Sequence, residues 1–390
     1  MPHVRVRLPA HQQEYEIKIG AGLLANLGAE ARACLGPGAR RISLISNPTV
    51  FNLFGNLVTK SLRAADFAVV RWLMKEGERH KSMRSLEQAL AFLTEAKLER
   101  GDAVLALGGG VVGDLAGFTA ATYLRGIALI QAPTTLLAQV DASVGGKTAV
   151  NLPAGKNLVG AFHQPRLVLI DPETLATLPR RELTAGWCEA VKQGAAGDRR
   201  LFDQTKAFLS SSGTDFSLST AAGAKHTETD ATNLGELLAA HCRFKASIVA
   251  GDEREQIDRT DHRSRRILNF GHTTAHALEQ VTGYRRFRHG EAVGYGILVA
   301  GLISKSLGML PSRELELLRA AVALCGPLPK AGDLAIDQIT RAMATDKKST
   351  GGQTKWVLLE RLGRARIVDG SEISPQVLRA ALREVLSGPA

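Results

Sequence analysis

The chain has 390 residues and a formal net charge of +11, with 45% hydrophobic, 22% charged and 5% aromatic residues. This length predicts two domains, and no apolar run approaches the ~20 residues of a membrane span, so we expect no membrane association. The basic residues are dispersed without a nucleic-acid-binding module, so no nucleic-acid partner is expected, and the widely spaced cysteines favour a reducing cytoplasm.

The first 179 residues alternate segments typical of strands with segments typical of helices. Residues 1–8 alternate polar and apolar side chains, which predicts a first strand and no signal peptide. This alternation predicts an α/β domain with a mostly parallel, Rossmann-like sheet over residues 1–179. Further strand-like runs occupy residues 41–46 (ending at Asn47), 67–72, 102–107, 127–131 and 167–171, and a helical period occupies residues 85–97.

A glycine turn follows the strand predicted at residues 102–107. Gly108 to Gly113 and then Asp114 lead into an apolar, helix-like segment at residues 115–123. A strand, a glycine turn and a helix in this order direct backbone N–H groups at a phosphate. A simple packing turn is the alternative, and the G-x-G-x-x-G fingerprint is absent, so an ordinary dinucleotide-binding fold is not predicted.

The second half of the chain has a different pattern. Residues 180–390 are predicted to form a mainly α-helical domain, with a β-hairpin at residues 356–359 and 365–368. Residues 210–233 are rich in Ser, Thr, Gly and Ala and are expected to form a surface loop. Residues 255–265 are dense in charge, and residues 258–263 among them are expected only to solvate a loop. The site should lie in the cleft between the two domains.

A histidine block supplies candidate metal ligands. His272 and His276 are four residues apart, so on a helix they share a face, and His289 returns after the turn-like Thr282–Gly283–Tyr284. Three imidazoles and a nearby carboxylate suit a catalytic divalent metal site that keeps a position open for substrate. For a lone histidine an exposed helix position would be the better interpretation, but three in one short stretch favour a site.

These blocks, taken together and in order, resemble the 3-dehydroquinate synthase family of the sugar-phosphate cyclase superfamily. The resemblance covers nearly the whole chain, although residues 255–265 are longer than the family pattern. The matching runs are residues 109–114, 122–126, 131–141, 143–148, 155–162, 188–192, 269–276, 289–291 and 346–348.

The resemblance implies a dehydroquinate synthase-like fold and a cytoplasmic lyase of the shikimate pathway and aromatic amino acid biosynthesis. Its sugar-phosphate substrate would be 3-deoxy-D-arabino-heptulosonate 7-phosphate, converted to 3-dehydroquinate and phosphate. The implied steps are transient oxidation by NAD, phosphate elimination, re-reduction and intramolecular aldol closure. The implied cofactors are NAD and Zn²⁺ or Co²⁺, and a homodimer is implied because Arg125 matches an arginine that reaches the neighbouring subunit's substrate.

Three alternatives stay open. The nearest is another sugar-phosphate cyclase, of the amino-dehydroquinate, valiolone-type or deoxy-scyllo-inosose class. The second is a metal-dependent polyol dehydrogenase, which would release NADH. The third is a catalytically idle protein that keeps only the cofactor site.

The resemblance, and not the helical spacing, decides the metal ligands. It implies Glu189, His272 and His289, and it places His276 on the substrate phosphate side, although spacing alone would have nominated His276. Glu189 lies in a segment that departs from the family pattern, with Cys188 before it and Gln193 after Lys192.

The remaining site residues are also implied by the resemblance. Lys245 and Arg265, with Lys192 nearby, would bind a substrate carboxylate that other cyclase substrates lack. The implied catalytic residues are Lys147, Lys192, Lys245, Arg265, Asn269 and His276. The implied substrate-binding residues are Arg125, Asn157, Lys347 and Lys348. The implied cofactor-binding residues are Asn47, Glu76, Gly77, Glu78, Arg79, His80, Lys81, Gly110, Val111, Val112, Gly113, Asp114, Thr134, Thr135, Asp141, Lys147, Lys156, Thr174, Leu175, Ala176 and Thr177.

Overall fold

The computed structural model describes residues 14–212, 228–256, 258–344 and 355–388. The strand predicted at residues 1–8 and residues 213–227 of the predicted loop therefore lie outside the described residues. The loop prediction was wrong for the ends of 210–233, which belong to the helices Arg199–Ser212 and Glu228–Gly251. The strands are β1 Glu16–Ile19, β2 Arg41–Ser46, β3 Ala68–Leu73, β4 Ala103–Gly108, β5 Ala128–Pro133, β6 Lys147–Leu152, β7 Gly155–Phe162, β8 Leu167–Ile170, β9 Lys355–Arg361 and β10 Arg364–Asp369. The helices are α1 Leu27–Leu35, α2 Pro48–Val50, α3 Asn56–Ala64, α4 Met83–Glu95, α5 Gly110–Thr122, α6 Arg180–Gly197, α7 Arg199–Ser212, α8 Glu228–Gly251, α9 His272–Val281, α10 His289–Ser306, α11 Ser312–Leu324, α12 Ile336–Ala344 and α13 Pro375–Ser387.

Six parallel strands form one sheet in the order β1-β8-β5-β4-β2-β3. All six residues of β4 are buried, because helices cover both faces of a parallel sheet. Leu105 and Leu107 face the core that includes α1 and α3, whereas Val104 and Ala106 face the core that includes α4 and α5. The predicted α/β fold with a mostly parallel sheet is confirmed.

The chain reverses its direction of growth across the sheet between β2 and β4. After β2 it adds β3 on one side, and then β4 and β5 on the other. In such sheets, ligands bind in the crevice beyond the carboxyl ends of the strands at this switch point. Asn47 and Gly109 follow β2 and β4 directly, so the predicted glycine turn lies at that crevice.

The glycine turn differs from its prediction in one respect. We expected the helix to begin near Leu115, but α5 begins at Gly110, so Gly110 to Asp114 form its first turn. The reason is close packing: a Cβ on Gly113 would lie 2.9 Å from Gln131 Oε1, and one on Gly109 would lie 2.9 Å from Thr135 Cγ2. The glycines therefore let the helix start against the neighbouring strand and turn, where other residues would collide.

The second half is mainly helical, as predicted, and its hairpin is β9–β10. Its central helices are α6 and α10, which pack on each other and are buried on nearly every face. A helix that is buried all round carries its polar residues into the interior. Among the described residues, no helix combines the length and apolarity that a membrane crossing requires.

The sequence analysis missed an antiparallel hairpin, β6–β7, which pairs Lys147 with Phe162 and packs on α5. One face is buried through Thr148 and Val150, but the other face exposes the apolar Leu158 and Phe162, so the chain there lacks a clear alternation of polar and apolar residues. This hairpin matters because it carries the predicted site residues Lys147, Lys156 and Asn157.

Candidate active site

Three side chains from three helices converge on one point. Glu189 comes from the middle of α6, while His272 and His289 are the first residues of α9 and α10. One ligand atom from each residue lies within 4.8 Å of those of the other two, and His289 Nε2 lies 3.5 Å from Glu189 Oε1. We call these three residues the metal cluster. The structure thus brings together the three predicted ligands.

The carboxylate of Glu189 fits a bound cation. The residue is fully buried; the Lys192 ammonium contacts its Oε2, whereas its Oε1 has no hydrogen-bond partner among the described residues. A buried carboxylate oxygen without a hydrogen bond is costly, and a bound cation would satisfy it. One carboxylate and two imidazoles are a donor set that Zn²⁺ accepts while keeping a position open.

Both imidazoles are oriented by their second ring nitrogen. His272 Nδ1 lies 3.3 Å from the Phe270 carbonyl oxygen, and His289 Nδ1 lies 3.3 Å from Glu279 Oε2. Burial lowers the pKa of His289, but Glu279 outweighs it and the pKa is raised. The sequence analysis missed Glu279, although it lies seven residues after His272 and so on the same face of α9.

His276 lies beside this cluster and outside it. Its ring centroid is 5.5 Å from that of His272 and 6.1 Å from that of His289, roughly parallel to the latter ring. Within the described part of the chain, the group with metal-binding geometry consists of Glu189, His272 and His289. A role for His276 in binding the substrate phosphate stays a prediction.

Asp141 gathers two of the predicted lysines. Lys245 Nζ contacts its Oδ1, and Lys192 Nζ lies 3.6 Å from its Oδ2. Burial raises the pKa of Asp141, but the two ammonium groups lower it far below its ordinary value. Burial lowers the pKa of Lys245, whereas Glu189 and Asp141 together overcome burial and raise that of Lys192. Asp141 was predicted to contact the cofactor, and in the structure its oxygens face these lysines.

Arg265 is buried and already engaged with the backbone. Its Nη1 donates to the Glu253 carbonyl at 2.6 Å, and its Nη2 donates to the Gly145 carbonyl at 2.8 Å. The guanidinium carbon lies 5.7 Å from the centre of the Phe162 ring. Carboxylate binding by Arg265 stays a prediction, and it would use the remaining N–H groups of the guanidinium.

The charged loop at residues 255–265 is part of the site at both of its ends. Glu255 contacts Lys147 Nζ and accepts a hydrogen bond from Asn269 Nδ2 at 2.9 Å. Asp252 holds the loop closed, because its carboxylate accepts from Gln256 N at 2.8 Å and from Arg265 N at 2.9 Å. The exposed residues 258 and 260–263 agree with the expected solvated loop. The sequence analysis gave Glu255 no role, because its partners are distant in sequence.

A second buried charge cluster lies near the glycine turn. Lys81 Nζ donates to Asp114 Oδ2 and to Asn157 Oδ1, both at 2.7 Å, and lies 3.2 Å from Glu78 Oε1. We call these four residues the Lys81 cluster. Burial lowers the pKa of Lys81, but the two carboxylates outweigh it and raise the pKa. The cluster ties the predicted cofactor-binding turn to the hairpin β6–β7.

Several of the other predicted residues lie near the carboxyl ends of the strands, whereas Arg125 lies far from them. Asn47 caps α2 by accepting from Val50 N at 2.9 Å, and Glu76 Oε1 accepts from Thr49 N at 3.1 Å. Thr134 and Thr174 are buried, and Thr174 Oγ1 accepts from Gln139 Nε2 at 3.0 Å. Arg125 is exposed beyond the far end of α5, roughly 20 Å from the glycine turn at 1.5 Å per helical residue. Lys347 and Lys348 lie outside the described residues.

Comparisons with known proteins cover the whole chain. The family model described as 3-dehydroquinate synthase N-terminal matches residues 71–185, and the corresponding C-terminal model matches residues 186–349. A 3-dehydroquinate synthase of Microcystis aeruginosa is 40% identical over 386 residues, 99% of each chain. Among solved structures, the 2-epi-5-epi-valiolone synthase ValA of Streptomyces hygroscopicus, with NAD⁺ and Zn²⁺ bound, is similar with a TM-score of 0.82 and 27% identity, covering 97% of this chain and 99% of ValA. A 2-deoxy-scyllo-inosose synthase complexed with carbaglucose-6-phosphate, NAD⁺ and Co²⁺ shares the fold, with a TM-score of 0.73 and 22% identity over 95% and 96% of the two chains.

Proposed function

This chain belongs to the 3-dehydroquinate synthase family, and on that premise we propose that it performs the reaction of that enzyme. It converts 3-deoxy-D-arabino-heptulosonate 7-phosphate to 3-dehydroquinate and phosphate, as a carbon–oxygen lyase. The observation that carries the proposal is the fully buried Glu189, whose Oε1 has no hydrogen-bond partner among the described residues and which faces two oriented imidazoles beside the lysines at Asp141.

The metal and the cofactor have separate places in the site. Glu189, His272 and His289 would hold Zn²⁺ or Co²⁺, and residues 110–114, at the start of α5, would hold NAD with Thr134 and Thr135. The chemistry that these groups supply when bound is polarisation of vicinal substrate oxygens and a hydride acceptor that later returns the hydride. ValA, the similar protein of known structure, binds both NAD⁺ and Zn²⁺, which supports this assignment.

The residues of the chain then bind and orient the sugar phosphate. Lys192, Lys245 and Arg265 form the cationic side of the site and would bind the substrate carboxylate. Asn157, Asn269 and His276 would bind the phosphate, with Lys347 or Lys348. Glu255 holds Lys147 and Asn269 in place on the phosphate side.

We propose a division of labour between residues 1–179, which bind NAD, and residues 180–390, which bind metal and substrate. The parallel sheet lies wholly before residue 179, and the metal cluster lies wholly after it. A homodimer is proposed because Arg125, exposed and distant from its own glycine turn, is suited to reach a neighbouring subunit. A cytoplasmic place in the shikimate pathway is proposed from the family and from four cysteines that are all free thiols.

The second candidate is a valiolone-type cyclase, because ValA shares the fold over nearly the whole chain. The two activities differ in the substrate carboxylate, which sedoheptulose 7-phosphate lacks. A buried cation beside a substrate carboxylate discriminates against substrates that lack the carboxylate. The buried Arg265, whose guanidinium donates to two backbone carbonyls, therefore favours the heptulosonate phosphate.

The test is a comparison of the two sugar phosphates on the purified protein with NAD and Zn²⁺. We expect the heptulosonate phosphate to be turned over far better, and Arg265→Ala to remove much of that preference. Arg263→Ala, which changes an exposed arginine of the same loop, should keep the preference. Equal or better turnover of sedoheptulose 7-phosphate by the unmodified protein would refute the assignment.

A further inference from the structure

Glu279 is a buried carboxylate with no assigned role in the reaction. It lies on α9, and its side chain is only 3% exposed. Its Oε2 is 3.3 Å from His289 Nδ1, and its Oε1 accepts a hydrogen bond from Lys156 Nζ at 2.9 Å. Within the part of the chain that the structure describes, it is not a member of the group with metal-binding geometry.

The two partners of Glu279 belong to different parts of the molecule. His289 begins α10, in the helical half, whereas Lys156 lies in β7 of the hairpin. The next residue along β7 is Asn157, which joins the Lys81 cluster through its bond with Lys81. Lys156 Nζ also lies 4.6 Å from the centre of the Tyr284 ring, just after α9. Glu279 thus links the metal cluster to Lys156, whose neighbour along β7 is bonded to the Lys81 cluster.

The chemistry of a ligating histidine explains what a carboxylate does at this position. An imidazole that binds a metal through one nitrogen carries a proton on the other, and an acceptor for that N–H fixes the tautomer and the ring orientation. Glu279 lies between the Lys156 ammonium and His289 Nδ1, so its carboxylate is placed to accept that N–H, which also makes the imidazole a stronger donor to a metal.

We propose that Glu279 is a positioning residue, which orients His289 for the divalent ion and fastens the hairpin to the metal cluster through Lys156. This inference rests on the proposed function, because it takes Glu189, His272 and His289 as the ligands. It extends that function because one side chain would both strengthen metal binding and hold the hairpin in position.

The test measures Co²⁺ affinity of the full-length protein by competition with a chelator, following the absorption of the bound ion. We expect Glu279→Gln to weaken Co²⁺ binding by about 10- to 100-fold, the usual effect of losing such a partner. Glu279→Asp keeps the charge at a shorter reach and should recover part of the affinity. Glu316→Gln, at an exposed carboxylate of α11, serves as the control and should bind Co²⁺ as the unmodified protein does.

A double variant separates metal affinity from folding. Glu279→Gln leaves the Lys156 ammonium without its carboxylate, so Glu279→Gln/Lys156→Met is made as well, which removes both charges. Its Co²⁺ affinity should stay as low as that of Glu279→Gln, whereas Lys156→Met alone should keep Co²⁺ affinity and weaken NAD binding.

The outcomes distinguish a failure of the role given to Glu279 from a failure of the proposed function on which it rests. If the unmodified protein bound no stoichiometric Co²⁺, the proposed metal site itself would be wrong. If the unmodified protein bound Co²⁺ and both Glu279→Gln and the double variant bound it equally well, the role given to Glu279 would be overturned.

Discussion

The Lys81 cluster and the metal cluster both bury charge in the interior, yet only one of them is complete without a ligand. Lys81 faces oxygens of Asp114, Asn157 and Glu78 within 3.2 Å. The Glu189 carboxylate is paired with the Lys192 ammonium at Oε2, while its Oε1 has no hydrogen-bond partner among the described residues. The first cluster has its partners within the fold, whereas the second directs a carboxylate and two imidazoles at one point, which is a donor set for a cation.

This difference separates two uses of buried charge. A buried ion that is surrounded by partners holds elements together, and removing one partner is destabilising. A buried carboxylate that lacks partners is a cost to the fold, and it is retained where a ligand supplies the missing charge. Substitutions in the Lys81 cluster should therefore reduce stability, and substitutions in the metal cluster should reduce metal binding and turnover.

The largest effect is expected at the metal ligands. His289→Ala should lose stoichiometric Zn²⁺ and reduce turnover by about 1,000-fold or more, because the ion supplies several kcal/mol of charge stabilisation. Metal content by elemental analysis and turnover of the purified protein are the measurements. His262→Ala, at an exposed histidine, is the control. Stoichiometric metal and near-normal turnover in His289→Ala would contradict the ligand assignment.

Lys81→Met should have the opposite effects, reducing stability and leaving the metal bound. The substitution leaves Asp114 and Glu78 without their cation, so we expect a loss of about 3–5 kcal/mol in the free energy of unfolding. Denaturant unfolding measures the loss, and binding of NAD should weaken with it. Metal content should stay stoichiometric in the folded variant. A loss of metal as complete as that of His289→Ala would show that the two clusters are not distinct in this way.

Asp252 connects the charged loop to the site. Its substitution should have an effect smaller than those at the metal ligands and at Lys81. In Asp252→Asn the amide can accept at one atom only, so it cannot hold both Gln256 N and Arg265 N. We expect kcat/KM to fall by about 10- to 100-fold, which corresponds to roughly one hydrogen bond to a charged group. Steady-state kinetics measure the change, and metal content should not change. Asp258→Asn, in the exposed part of the loop, should behave as the unmodified protein, and equal kinetics of the two variants would count against the closure by Asp252.

The smallest effect concerns a histidine outside both clusters. His241 is fully buried, with Nδ1 3.0 Å from Gln193 Oε1 and Nε2 3.1 Å from Thr205 Oγ1. Burial lowers its pKa to about 3, so below pH 6.5 the unfolded chain binds a proton that the folded chain does not. Stability from this group is therefore complete above pH 6.5 and declines as the pH falls toward 3.

Between pH 7 and pH 5 the free energy of unfolding should fall by about 2 kcal/mol, because each pH unit below 6.5 costs about 1.36 kcal/mol. His241→Asn removes the titrating group, so its free energy of unfolding should change less between these pH values. Urea unfolding of both proteins at pH 7 and pH 5 measures the difference. The same pH dependence in both proteins would show that His241 is not held neutral.

The sequence predicts the sheet better than the site. Residues 102–107 are almost wholly apolar, and such a run has few alternatives to a buried parallel strand, so β4 was predicted almost to the residue. The start of α5 was misplaced because the glycines from 108 to 113 indicate a turn by propensity, while tertiary packing makes Gly110 and Gly113 helical. The hairpin β6–β7 was missed because apolar residues lie on its exposed face as well as on its buried face.

The site needed more than local pattern. Helical spacing alone favoured His276 as a ligand, whereas the structure brings Glu189 of α6 to the other two histidines. No spacing rule connects Glu189 with His272, because their approach depends on how α10 packs against both α6 and α9, and only the family resemblance supplied it. Glu255 and Glu279 were missed for the same reason, since each contacts partners that are far away in sequence.

The most direct test of the account is to supply the purified protein with NAD, Zn²⁺ and 3-deoxy-D-arabino-heptulosonate 7-phosphate. Released phosphate and the absorbance of NADH are followed together. The account predicts one phosphate per substrate consumed, no net accumulation of NADH, and loss of phosphate release after metal removal by a chelator. Accumulation of NADH in step with product, or substrate left intact with metal and NAD bound, would contradict it.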